Sequence, residues 1–286
     1  MATFLPSVYA FFAAAAAGCL LATVFGELRR VGTDRLTAVT LSALVATLAA
    51  AAAVVGQFGR PALLFSVFSN PGTAIFRELA SLLLALLAGA AYLAALRTGA
   101  TRRTGRKLSL LAAASGLILA LAVGSAAVQP WRPVWNTWTL VLPTAGFASL
   151  AGVMLAKSLG AAGHESAGPA LSVLKKAEEK TGETASEPLW ESTRLAALAP
   201  LVGLACYFAA ASTDASARTA LASLLTGANA WLFWAGVIVP SVLLSFLAAQ
   251  FASDTLKRNP VLGIALATLS AFAAGAWQHL VQGLAR

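Results

Sequence analysis

From Leu79 to Leu96 the chain runs without a single charged side chain, and the same holds from Leu36 to Gly56. As helices, both runs are long enough to cross the roughly 30 Å hydrocarbon layer of a bilayer. Similar stretches recur to the end of the chain, and in lipid only an element that satisfies its own backbone hydrogen bonds can occupy them. An ordinary soluble domain is excluded, since 59% of residues are hydrophobic and 11% charged, where about a quarter charged is usual. Hydropathy windows of about 20 residues predict an all-α fold, an integral membrane bundle of eight transmembrane helices. The spans fall near 6–26, 36–57, 78–96, 108–128, 138–159, 194–212, 229–251 and 260–282. Residues 1–286 read as a single transmembrane domain with one sizeable extramembrane loop, 160–193, whose charges alternate in sign.

The formal charge of +9 would point to nucleic acid in a soluble protein, but its distribution reports orientation. Fifteen of the twenty basic residues fall after the first, third, fifth and seventh spans, among them Arg29, Arg30, Arg35, Arg102, Arg103, Arg106 and Lys107. The opposite side holds Arg60, Arg77, Arg132, Arg218 and Arg286. Under the positive-inside rule both termini are expected to face outward.

Two polar stretches share that outward side. The first runs Gln57-Phe58-Gly59-Arg60-Pro61, then Asn70-Pro71-Gly72-Thr73, then Arg77-Glu78, which are expected to open the third span. A carboxylate just inside a membrane helix requires a reason; the dipole at a helix N-terminus supplies a weak one, worth roughly 0.3–1 kcal/mol. The second is Gln129-Pro130-Trp131-Arg132-Pro133-Val134-Trp135-Asn136-Thr137-Trp138-Thr139. Tryptophans gather at headgroup level on their own account, yet here Asn and Thr interleave with them. With only Cys19 and Cys206 and no Cys-x-x-Cys, no iron–sulfur or zinc site is expected within the chain. His164 and His279 do not form the paired axial ligands of a membrane haem, and no phosphate-binding glycine motif is present.

The Gln57 to Pro61 motif, Asn70, Arg77-Glu78 and the Pro133-Val134-Trp135-Asn136-Thr137 segment together resemble the anchor subunits of dimethyl sulfoxide reductase and its relatives. The resemblance implies a multi-pass subunit of a prokaryotic cytoplasmic (inner) membrane that binds no cofactor of its own and reacts with menaquinol or ubiquinol. It also implies an iron–sulfur partner subunit that feeds a molybdopterin catalytic subunit, as in anaerobic respiration. Two departures stand out: position 57 is Gln where the family commonly has His, and the last span reads Ala273 to Leu280 where the family often carries Gly-Glu, Arg and Phe-Tyr.

Oxidising a quinol removes two electrons and two protons, so its site needs a proton acceptor and partners for both ring oxygens. Glu78, the one carboxylate inside a span on the outward side, is expected to take the proton. Gln57 would hold a quinol oxygen, Arg60 and Arg77 would stabilise developing negative charge, and Phe58 or Trp135 would pack on the ring, with Asn136 beside them. Arg132 is expected to help dock the partner, and no metal is assigned. The rival expectation is a small-molecule transporter or channel, which would place polar groups at broken helices near the bilayer midplane.

Overall fold

The computed structural model describes residues 5–28, 31–57, 67, 69–128, 137–165, 187–228, 230–250 and 260–283, apart from the side chains at 157, 159–165, 187–195, 216, 245, 246, 248–250, 260 and 283. Every regular element in these residues is helical. The helices are α1 (Leu5–Leu28), α2 (Thr33–Gln57), α3 (Ala74–Arg97), α4 (Arg102–Ala126), α5 (Val141–Glu165), α6 (Glu187–Ala211) and α7 (Ala215–Thr226). Then α8 (Ala230–Phe233) passes through a π-helical turn (Trp234–Ile238) into α9 (Val239–Gln250), and α10 (Pro260–Gly283) ends the bundle.

Among the described residues, six helices are long and apolar enough to cross a membrane: α1 to α4, Trp138–Ala156 and Val261–Gln282. A seventh arises if Ala217–Thr226 and Ala230–Leu244, bent by 82°, count as one broken span. Eight were expected; over 194–212 the described apolar stretch, Ala196–Ala211, is shorter than those six. Outward-facing Val45, Leu48, Leu83, Leu87, Leu110 and Val202 are exposed, the pattern of a bundle whose perimeter meets lipid rather than water.

Small residues bring the helices together. α1 is central and packs on α2, α4, α5 and α10. Where α1 meets α5, a Cβ added at Gly152 would lie 2.9 Å from the Gly18 carbonyl oxygen, so the two backbones approach as closely as glycine allows. Where α5 meets α6, a Cβ at Gly146 would lie 2.7 Å from the Pro200 nitrogen. In lipid, Ala and Gly seams replace the hydrophobic drive of a soluble core. Several buried hydroxyls are satisfied locally: Thr40, Thr47, Ser115 and Ser158 donate to carbonyls three or four residues back. Ser270 instead crosses between helices to the Phe147 carbonyl at 2.7 Å.

The long-range contacts define two ends. At one, Leu5 of α1 faces Gly56 of α2, and Ser7 Oγ lies 3.0 Å from His279 Nδ1 of α10. At the other, Glu27 of α1 meets Tyr92 of α3 and Gly105 of α4. Between α3 and α4 the chain reverses through Gly99, whose φ of 63° lies in the left-handed region that glycine enters without strain.

Three expectations shift. Arg102, Arg103, Arg106 and Lys107, placed by hydropathy in a loop, are the first turns of α4. α3 opens at Ala74 rather than near Glu78, because Thr73 caps it, accepting from the Phe76 amide at 3.2 Å. α7 was not expected; Asp214 begins it, its Oδ1 accepting from the Ala217 amide at 3.3 Å.

Candidate functional site

α3 buries one stripe of its surface: Glu78, Ser81, Leu82, Ala85, Ala88, Gly89 and Tyr92, at the three- and four-residue spacing of a helix face. The stripe starts with a carboxylate and ends with a phenol, about 21 Å apart along the axis at 1.5 Å per residue. Capping by Thr73 sets this register. One turn after the cap, it turns Glu78 inward, 8% exposed, while Arg77 beside it points outward and is exposed.

Glu78 lies within electrostatic range of Tyr9 of α1. Tyr9 is 2% exposed and packs in a cluster with Ala53 and Val54 of α2, Leu82 of α3 and Val123 of α4. Its hydroxyl has no hydrogen-bond partner among the described residues. Neither does the Glu78 carboxylate, although Ser81 donates to the Glu78 backbone carbonyl at 2.8 Å. A buried acid and a buried phenol thus sit at one end of a membrane-type bundle, and leaving the fully enclosed Tyr9 hydroxyl unmet costs on the order of 1–3 kcal/mol.

Of the residues expected at the site, the structure describes three. Glu78 is buried on α3, which packs on α2 and α4. Gln57 is the exposed last residue of α2, at the same end of the bundle, and makes no hydrogen bond among the described residues. Arg77 is exposed and acts electrostatically on Glu78. Phe58, Arg60, Arg132, Trp135 and Asn136 lie outside the described residues. Beside the second polar stretch, Thr137 and Thr139 hydroxyls meet at 2.8 Å, and Trp138 is 70% exposed. Among the described residues no group of three His, Cys, Asp or Glu side chains could hold a metal ion.

Two features escaped sequence reasoning. Tyr9 sits in an apolar segment, and only the tertiary packing of α1 and α3 on their shared neighbours α2 and α4 brings it within electrostatic range of Glu78. His279 joins Ser7 across 272 residues of chain. A polar residue isolated in an apolar run was the available signal in both cases.

No protein-family model and no curated protein matches this chain.

Proposed function

We propose that this protein is a membrane anchor subunit that exchanges electrons between the quinone pool and an iron–sulfur partner, in the manner of the dimethyl sulfoxide reductase anchors it resembles. The observation that carries the reading is the buried Glu78 carboxylate within electrostatic range of the Tyr9 hydroxyl, which has no partner among the described residues. A quinol hydroxyl presents a proton to give up and an oxygen to hold. Glu78 takes the proton, and Tyr9 supplies a donor to a ring oxygen. Gln57 at the same end, together with Phe58, Arg60, Trp135 and Asn136, completes the site. Each quinol becomes quinone by losing two protons, taken up in turn by Glu78, which passes the first to the aqueous phase before accepting the second, and two electrons to the partner's clusters. A molybdopterin subunit beyond them consumes those electrons, or supplies them in the reverse direction.

In the same reading α6, 25 residues long over Glu187–Ala211, is an eighth crossing. Both termini and the Glu78 end face outward from a prokaryotic cytoplasmic membrane, and Arg132 contributes to partner docking. The test is purification of the tagged chain from its native membranes in mild detergent. The expected result is a co-purifying iron–sulfur protein with its paramagnetic resonance signal and a molybdenum subunit. An eluate that is redox-silent and without partners in gentler detergents also would overturn the reading.

One observation favours the transporter or channel alternative. The 82° break before Ala230 and the π-helical turn just ahead of Pro240 form an interrupted span of the kind transporters use. Tracer uptake into vesicles reconstituted with the chain alone would establish that alternative; retention only of redox partners would remove it.

A further inference from the structure

At the end of the bundle opposite Glu78, the last turn of α1 and the first two turns of α4 enclose a cleft of about 520 Å³. We propose that this cleft binds the phosphate of an anionic phospholipid, whose acyl chain lies along α4. Its walls carry four cations, Arg102, Arg103, Arg106 and Lys107, all exposed, and none makes an ion pair among the described residues. The single carboxylate in the wall, Glu27, is already committed. Its Oε1 accepts the Tyr92 hydroxyl at 2.8 Å, and the same oxygen lies 3.2 Å from where a Cβ on Gly105 would stand. Three positive charges are left in excess, and Thr101 makes no side-chain cap at the start of α4, where a helix N-terminus favours an anion.

The shape of the surface below the cations selects a lipid over a free anion. Arg103, Lys107, Leu110, Leu117 and Leu121 recur at three-, four- and seven-residue spacings, so they form one stripe down α4. The top of that stripe is cationic, and its lower part is exposed hydrocarbon, with Leu110 at 51% and Leu117 at 40%. Leu28 adds an exposed apolar wall to the cleft. A headgroup phosphate above an acyl chain matches both parts, whereas inorganic phosphate uses the upper part alone. Basic pockets between membrane helices commonly recognise anionic headgroups in this way.

The test is native mass spectrometry of the detergent-solubilised full chain titrated with phosphatidylglycerol or phosphatidylcholine. The wild-type protein should retain phosphatidylglycerol preferentially, and the double variant Arg103→Gln/Lys107→Gln should lose about 25-fold of that preference, near five-fold per cation. Arg97→Gln, an exposed cation outside the cleft, should change it less than about two-fold, since it contributes only long-range field. Equal retention of the two lipids overturns the proposal. So does an equal loss in Arg97→Gln, which would mark a diffuse basic surface. Displacement of the lipid by inorganic phosphate at comparable concentration would make the cleft a free-anion site and overturn the lipid assignment.

Discussion

α1 and α3 bring a glutamate and a tyrosine together twice, once at each end of the bundle, with opposite outcomes. At the basic end, the Tyr92 hydroxyl donates to Glu27 at 2.8 Å, and four cations stand nearby. At the other end, Tyr9 and Glu78 are both buried and interact electrostatically, yet the Tyr9 hydroxyl has no partner among the described residues. Polar groups in a membrane interior are ordinarily paired, because each unpaired one costs free energy that packing must offset. The Glu27–Tyr92 pair therefore reads as a clasp between α1 and α3. On the proposed reading, the Tyr9 hydroxyl near Glu78, without a partner among the described residues, is available to a ligand that brings its own hydrogen-bonding groups.

Exchanging the acid for its amide at each end tests this division most severely. Glu78→Gln keeps the shape and, on the proposed reading, removes the proton acceptor, so quinol-dependent electron transfer should fall by at least about 100-fold, the usual scale of a lost general base. Assembly should be retained, as judged by co-purification of the partners. Glu27→Gln, at the other end, should leave the turnover number unchanged. Unimpaired quinol oxidation in Glu78→Gln would end its assignment as acceptor, and parallel losses in both variants would erase the distinction between the ends.

Removing one hydroxyl from each tyrosine should separate stability from function. Tyr92→Phe deprives the partly buried Glu27 carboxylate of its donor, at a cost of about 1–3 kcal/mol, read by denaturant titration of the detergent-folded protein. Tyr9→Phe removes a hydroxyl that has no partner to lose, so stability should hold or rise slightly. Its effect belongs in quinol binding: KM should increase about three- to ten-fold, the equivalent of one neutral hydrogen bond. A Tyr9→Phe protein as destabilised as Tyr92→Phe would show that Tyr9 is structural.

These pairs also mark where sequence reasoning reaches its limit. The helical, membrane-type architecture was legible, because runs such as Leu79 to Leu96 admit no other element in lipid. Glu78 stood out as a carboxylate at the edge of such a run, and its burial follows from a helix register that Thr73 sets. Arg102 to Lys107 were assigned to a loop because hydropathy windows stop at charge, whereas Arg and Lys are good helix formers that reach the headgroups on long stems. α7 is shorter than the window that would have detected it. Tyr9 and the Glu27–Tyr92 bond were out of reach, since the latter joins residues 65 apart and depends on how α1 and α3 sit against α2 and α4. No periodicity within one helix encodes that.

The smallest effect tests whether the clasp at the basic end is held as tightly as its geometry implies. A Cβ at Gly105 would stand 3.2 Å from Glu27 Oε1, closer than comfortable contact, so in Gly105→Ala the carboxylate must give way. Within a helix, alanine in place of glycine is favourable by about 0.5–1 kcal/mol. In the wild-type background, that gain should be largely cancelled by strain on the Tyr92 bond. In a Tyr92→Phe background Glu27 is no longer tethered and can swing aside, so the same substitution should be stabilising by close to its full helical value. The double-mutant cycle should therefore return a coupling of about 0.5–1 kcal/mol between Gly105 and Tyr92, residues that act on each other only through Glu27. A coupling of zero would mean that Glu27 moves freely despite its hydrogen bond. The basic end would then be no more constrained than the Glu78 end, and the contrast between the two pairs would rest on the buried Tyr9 hydroxyl alone.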